Sequence, residues 1–392
     1  MMSAETSYSP PASIKVLGND DLVGEILSRV DSPTTLVRAA LVCRRWLRRA
    51  SDGAFLRRFR ASHPPRLVGF FVTGDWMPRP EFVPMNTDLT SAASLRRTAG
   101  SVLHAFPEFS SPGVCDSRDG RVLFEFTDGA RGPRRLAVLR DPAAGAMAKL
   151  PPRPSALTDR YHAALLPDDN ATTCYHVDVH HVGRNVFVEV TVLRSGVWSV
   201  CCSAKADLTT PPGGIIPKVT LLAGGKVYMV TVAAYIICVD LATANLFAID
   251  LPEGVTYEHF GTLVPCRGDD SVLYIFHAKG DKLSVWLRRM DNDNDQQLVA
   301  GEWVLRDTVS VKETCGHLVE PGSELASVVG VGDNAEFAFL EMGVGDNYFV
   351  IYLHLGTRKA EKVYKRDPDN DEIIQVHPFM TVGPPVFRLE QF

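Results

Sequence analysis

The hydrophobic pattern changes character once, near residue 61. Before that point apolar residues recur at helical spacing. Leu22, Ile26 and Val30 fall at i, i+4 and i+8, with Val23 and Leu27 beside them, which predicts one amphipathic helix. Asn19 is placed to cap it, and Asp20 and Asp21 put acids in its first turn. A second helix is predicted from Ser32-Pro33, because Ser caps and Pro suits the first helical position; its apolar positions include Leu36, Ala39, Ala40, Cys43, Trp46 and Leu47. A third is predicted from Ser51-Asp52, carrying Phe55, Leu56 and Phe59, and His63-Pro64-Pro65 ends it. Three short helices close only a small core. Cys43, Trp46, Phe55 and Leu56 are expected inside it.

After residue 66 the period falls to two. Val186, Val188, Val190 and Val192 alternate with Phe187, Glu189, Thr191 and Leu193, the signature of a strand. Similar runs occupy 121–126, 136–140, 226–232, 235–240, 272–277, 283–288 and 348–354, separated by turn-rich stretches such as Pro211-Pro212-Gly213-Gly214. Faint repetition runs through this part. The segment from Leu139 resembles that from Cys238: an Asp closes a strand, a turn follows, and a second strand ends in Leu-Pro. The segments from Ser195 and Ala300 each place Gly-x-Trp just before a strand. Asp141, Trp198, Asp240 and Trp303 lie 57, 42 and 63 residues apart. A spacing of about 50 is that of a four-stranded kelch-like propeller blade, and residues 66–392 have room for about six. The expected fold class is therefore α+β multidomain, with a small three-helix module followed by an all-β propeller whose ring removes its sheet edges. Two stacked sandwiches are the competing architecture.

Composition narrows the class without changing this outline. The 392 residues are 45% apolar and 22% charged, as in ordinary globular chains. A net charge of −5 argues against a chain held to nucleic acid by its whole field. Eight cysteines with no Cys-x-x-Cys pair make neither a disulfide scaffold nor a zinc ribbon, so a reducing compartment, cytoplasmic or nuclear, is expected. Cys201 and Cys202, adjacent on a strand, are expected to face opposite sides. Residues 1–15 read as a disordered tail; Met1–Ser13, polar and Pro-containing, has neither basic n-region nor apolar h-region and does not read as a signal peptide. The longest uncharged apolar run, from Val227 to Val239, is too short for a membrane helix.

Several local signals have bland explanations. Residues 36–60 hold eight arginines and one acid; Arg44/Arg48 and Arg45/Arg49 pair along a helix face, which suits a solvated surface or steering towards an acidic partner. Asp291, Asp293, Asp295 and Glu302 match four positions of a calcium loop, yet Gln296 stands where the turn needs Gly, so a polar hairpin loop is expected. His180 and His181 diverge on a strand and are expected to be structural. Asn170-Ala171-Thr172 is a glycosylation sequon without meaning in a chain that is not secreted. Gly-Val-Gly-Asp-Asn occurs at Gly330 and Gly343, and both copies read as hairpin turns. The usual nucleophile-elbow, zinc-protease, phosphate-loop and dinucleotide fingerprints are missing from the sequence.

One resemblance covers the helical segment. Asp20-Asp21-Leu22, Glu25-Ile26-Leu27-x-Arg29-Val30, Leu36-x-Arg38, Val42-Cys43-x-x-Trp46 and Ser51-Asp52-x-x-Phe55-Leu56 follow one another in the order of an F-box. Residues 16–62 therefore resemble that three-helix module, with Gly18-Asn19 standing where the family has Leu-Pro. Most of residues 66–392, with "HPPRLVGFFV" at 63–72 directly following the F-box, looks like the F-box-associated propellers of plant F-box proteins. The resemblance implies a non-catalytic, substrate-recruiting subunit of an SCF-type ubiquitin ligase. It implies a Skp-type adaptor and, through it, a cullin as partners, and a protein substrate on the propeller; with the residue-level readings above, no cofactor, metal, nucleic acid or membrane is expected. Leu17, Asp21, Leu22, Ile26, Leu27, Val30, Leu36 and Val42 are the implied adaptor contacts. Leu22, Ile26 and Val30 are read as one anchor stripe of the helix-docking kind. The alternatives are an F-box-like binding module or decoy outside any ligase, suggested by Gly18-Asn19, and a propeller hydrolase with carboxylates converging on its channel.

Overall fold

The computed structural model describes residues 19–30, 33–62, 66–74, 77, 79–85, 111–118, 120–127, 135–139, 147–151, 161–165, 174–194, 196–268, 272–290, 301–366 and 374–380. The chain divides into a helical unit up to Arg66 and a β unit over Leu67–Phe379.

Four helices, not three, are described in the helical unit: α1 (Asp20–Ser28), α2 (Pro33–Ala40), α3 (Arg44–Ala50) and α4 (Gly53–Ser62). Asn19 caps α1, its Oδ1 accepting from the Asp21 and Leu22 amides at 2.9 and 3.3 Å, and Asp52 caps α4 through the Phe55 amide at 2.8 Å. The expected second helix breaks at 41–43, where Cys43 is fully extended. A straight helix over 33–50 would run about 27 Å, far past the nine and ten residues of α1 and α4. The break instead folds Leu36 and Ala40 of α2 and Leu47 and Ala50 of α3 onto one core with Val23, Leu27, Phe55, Leu56 and Phe59.

The β unit is a series of antiparallel meanders. It begins with β1 (Leu67–Thr73) and β2 (Glu81–Pro84). Five four-stranded sheets follow. The first holds β3 (Ser111–Arg118), β4 (Arg121–Thr127), β5 (Arg135–Leu139) and β6 (Met147–Lys149), and the second β7 (Tyr161–Leu165), β8 (Cys174–Val182), β9 (Asn185–Arg194) and β10 (Val197–Asp207). The third holds β11 (Ile215–Ala223), β12 (Lys226–Thr231), β13 (Tyr235–Asp240) and β14 (Leu246–Asp250). The fourth holds β15 (Leu263–Arg267), β16 (Val272–Lys279), β17 (Lys282–Arg289) and β18 (Trp303–Ser310), and the fifth, after the short α5 (Val311–Cys315), holds β19 (Glu324–Val331), β20 (Phe337–Val344), β21 (Asn347–His354) and β22 (Ala360–Lys365). The last described strand, β23 (Gln375–Met380), returns to pair beside β1, giving the order β2-β1-β23.

Each sheet touches the next through its first strand: β1 packs near β3, β3 near β7, β7 near β11, β11 near β15 and β15 near β19. Gly330 on β19 comes so close to β23 that a Cβ there would lie 2.5 Å from the Val376 carbonyl oxygen. Alternate side chains of β1 reach both neighbours, Phe70 to Phe339 of β20 at 4.8 Å and Phe71 to Phe124 of β4 at 5.8 Å. Four-stranded meanders in this sequence fit a β-propeller.

The faint repeat has a physical cause. Trp198, on the last strand of its sheet, donates from Nε1 to the Pro151 carbonyl just past β6 at 3.0 Å. Trp303, on β18, donates in the same way to Asp250 at the end of β14 at 2.7 Å. Each indole thus ties its sheet to the outer strand of the sheet before it. Asp240 supplies the other mark: its carboxylate accepts from the Ala242 and Thr243 amides at 2.9 and 3.0 Å, fixing the turn into β14. The Thr243 amide holds its carboxyl below the ordinary value. Asp141 lies outside the described residues.

The second Gly-Val-Gly-Asp-Asn copy makes a two-residue hairpin, with Val344 paired to Asn347 and Gly345 at φ +57°. The first connects β19 to β20 through a short turn. The adjacent cysteines depart from expectation. A β-bulge between Val200 and Cys202 shifts the alternation, so that half-buried Cys201 packs on the same core as buried Cys202.

Candidate functional site

The helical unit presents apolar surface that its own core does not use. On α1, Val23 and Leu27 are sealed inside, whereas Leu22 and Ile26 are 43% and 39% exposed. Just past α2, Leu41 and Val42 are 63% and 67% exposed. Asp20, two residues before Leu22, is bonded to Arg45, three residues after Val42, at 2.5 Å. That ion pair links α1 to α3. Glu25 and Arg29 form a further exposed pair along α1 at 2.7 Å.

The expected adaptor contacts separate on this geometry. Asp21, Leu22, Ile26 and Val42 are exposed. Leu27 and Leu36 are fully buried in the core, and Val30 is half-buried against it, so the stripe Leu22-Ile26-Val30 is shorter than the sequence spacing suggests. Leu17 lies outside the described residues. Of the expected core, Phe55 and Leu56 are buried and Trp46 packs half-buried against it. Cys43 is exposed, because it is the extended residue at the break between α2 and α3. Leu41 was missed. Its signal is the run Ala39-Ala40-Leu41-Val42-Cys43, longer than one buried helix face requires.

The arginines separate too. Arg44 and Arg48 face solvent. Arg45 is engaged by Asp20, and Arg49 is half-buried against Gly24, where a Cβ would meet its Nε at 2.7 Å.

The β unit holds a cavity of about 190 Å³ on the first strands of its sheets. Asp116 of β3, Thr220 of β11, Val328 of β19 and His377 of β23 are among its lining residues, and Asp116 is the single carboxylate among those described. Cys115 beside it donates to Glu125 at 3.8 Å, and burial first, then Glu125, pushes its thiol well above the ordinary value. Burial likewise pushes Cys174 and Cys238 up to about 12 and Cys202 and Cys315 up to about 11. These thiols are protonated at neutral pH and are poor nucleophiles.

His180 is exposed beside the Phe187 ring, and His181 turns to the other, half-buried side. No group of three or more metal-ligating side chains occurs among the described residues. The acids of the calcium-like loop, Asp291, Asp293 and Asp295, and the Asn170 sequon lie outside those residues. The strands flanking that loop, β17 and β18, pair with each other. No described helix is long and apolar enough to cross a membrane.

A module of small helices with outward apolar residues, joined to a meander of four-stranded sheets, defines an F-box-like protein with a β-propeller. Residues 20–62 match the F-box-like family. Residues 113–387 match the family described as F-box protein AT5G49610-like, beta-propeller, and the chain belongs to that family. No curated protein matches the chain. Solved structures similar to it include TolB from Acinetobacter baumannii, at 13% identity over 74% of this chain and 62% of that one, with a TM-score of 0.34. A nidogen/laminin complex is similar at 12% identity over 80% and 98%, with a TM-score of 0.36. A prolyl endopeptidase is similar at 10% identity over 92% and 55%, with a TM-score of 0.37. The chain thus spans less than two thirds of the TolB and prolyl endopeptidase chains.

Proposed function

We propose that this chain is the substrate-recruiting subunit of an SCF-type ubiquitin ligase. The exposed residues Leu22, Ile26, Leu41 and Val42 would seat on a Skp-type adaptor and, through it, a cullin. The propeller, with six sheets read as six blades, would hold a protein substrate. The chain would supply proximity, raising the effective concentration of substrate near the charged enzyme, while the chemistry belongs to other subunits.

The observation that carries this reading is the outward pair on α1. A nine-residue helix needs only Val23, Gly24 and Leu27 for its own core, yet it keeps Leu22 and Ile26 in water. Exposed apolar residues set against buried ones on one short helix are what a helix-docking partner requires. The cavity of the β unit gives less support to a hydrolase, because a glycosidase works with two carboxylates and Asp116 is single among the described lining residues.

The test is co-purification with a Skp-type adaptor. Leu22→Asp with Ile26→Asp is expected to weaken adaptor binding by roughly 1000-fold, two anchors at about 2 kcal/mol each. The melting temperature of the variant should fall by only a few degrees, since neither side chain belongs to the core of the helical unit. Undiminished binding would overturn the assigned surface.

A further inference from the structure

Cys201 and Cys202 stand side by side in the fold as well as in the sequence, and both are free. On β10 the register steps from Val200 opposite Thr191 to Cys202 opposite Val190, so Cys201 is the extra residue of the bulge. In an unbroken strand adjacent side chains take opposite faces. A bulge sets two residues against one, here Cys201 and Cys202 against Val190, and brings them to the same side. Cys202 is buried in the core shared by the second and third four-stranded sheets, and Cys201 packs half-buried on that core. The two thiols are hydrogen-bonded to each other. Cys201 keeps a solvent-facing side, and Cys202 lies directly behind it. As the extra residue, Cys201 holds no place in the β9 ladder, so its backbone can adjust without breaking the pairs on either side.

Two sulfurs on one side of a strand make a chelate for a soft, thiophilic centre. Burial first, then Cys201, pushes the Cys202 thiol up to about 11, so reagents that need a thiolate meet a barrier. A ligand that brings its own base for the protons avoids that barrier. Trivalent arsenic bound to oxygen is such a ligand. Two S–H bonds and the As=O bond break, two S–As bonds form, and both protons leave with the oxygen as one water. Nothing is oxidised or reduced. We propose that Cys201 and Cys202 form a dithiol site that chelates trivalent arsenicals. The site goes beyond the receptor reading and does not rest on it. Cys43 makes the contrast, being exposed but the single cysteine of the helical unit.

The test adds phenylarsine oxide to the reduced, folded full chain in an excess of glutathione, and reads intact mass. Glutathione, a monothiol, strips arsenic from single cysteines. One adduct is expected, with the mass of phenylarsine oxide less one water, carried on the tryptic peptide 195–205 and released by dimercaptopropanol. Cys201→Ala and Cys202→Ala should each weaken retention by roughly 100-fold or more, the gain that a second tethered ligand supplies. Cys201→Ser, which nearly keeps the side-chain volume, should repeat the loss with circular dichroism unchanged. Cys43→Ala should leave retention as it was. The adduct should melt no lower than the free protein, because the thiols already share one side. No adduct, an adduct on another peptide, or one that survives the loss of either thiol would overturn the proposal. So would an adduct that lowers the melting temperature, since arsenic would then have to open the sheet to reach the pair.

Discussion

Ile26 and Leu27 are neighbours in sequence and lie on adjacent rows of α1, one partly exposed and one sealed in the core. The spacing showed a helix with apolar residues on two adjacent rows; which row the other helices cover depends on packing that spacing does not encode. Val30 shows the same limit, assigned by period to the outer row and drawn half inward by the core. Two further residues carry predictions at this scale. Glu341 is 3% exposed; its Oε1 accepts from Arg366 and its Oε2 from the Ser327 hydroxyl, each at 3.0 Å. Arg366→Met removes a partner and strands a buried carboxylate, so a loss of about 3–5 kcal/mol is expected in denaturant unfolding. The double variant Glu341→Leu with Arg366→Met should regain most of that loss, because the cost lies in the unpaired charge. Ala244 stands at φ +55° in the turn that Asp240 organises. Ala244→Gly relieves that conformation and should raise stability by about 0.5–1 kcal/mol in the same measurement, the relief exceeding glycine's added chain entropy.

At the level of elements, the strands were readable because their period of two is local. The ties between sheets were not, because their partners lie far along the chain. The sequence marked Trp198 and Trp303 as repeats, but the carbonyls they bond belong to residues 47 and 53 positions earlier. Trp303→Phe keeps one aromatic ring but loses the indole donor and part of its packing, so a cost of about 1–2 kcal/mol is expected in thermal unfolding. A change too small to measure would show that the indole bond does not tie the sheets. The break between α2 and α3 was hidden for another reason. Leu36, Ala40, Cys43, Leu47 and Ala50 keep helical spacing through it, so periodicity alone joins two helices that packing separates.

For the whole molecule, the pairing of β1 with β23 was the least legible feature. It joins residues about 300 positions apart, and no local pattern announces such a contact. It also places Phe70 and Phe71 of β1 between the first and last four-stranded sheets. The same scale holds the functional claim, in which one unit docks an adaptor and the other holds a substrate. The most direct measurement is titration calorimetry of the purified full chain with a Skp-type adaptor, followed by size-exclusion chromatography of the mixture. The account predicts a 1:1 complex that elutes as one peak and is lost with Leu22→Asp and Ile26→Asp. Separate elution of two folded proteins, with no heat of binding, would contradict it.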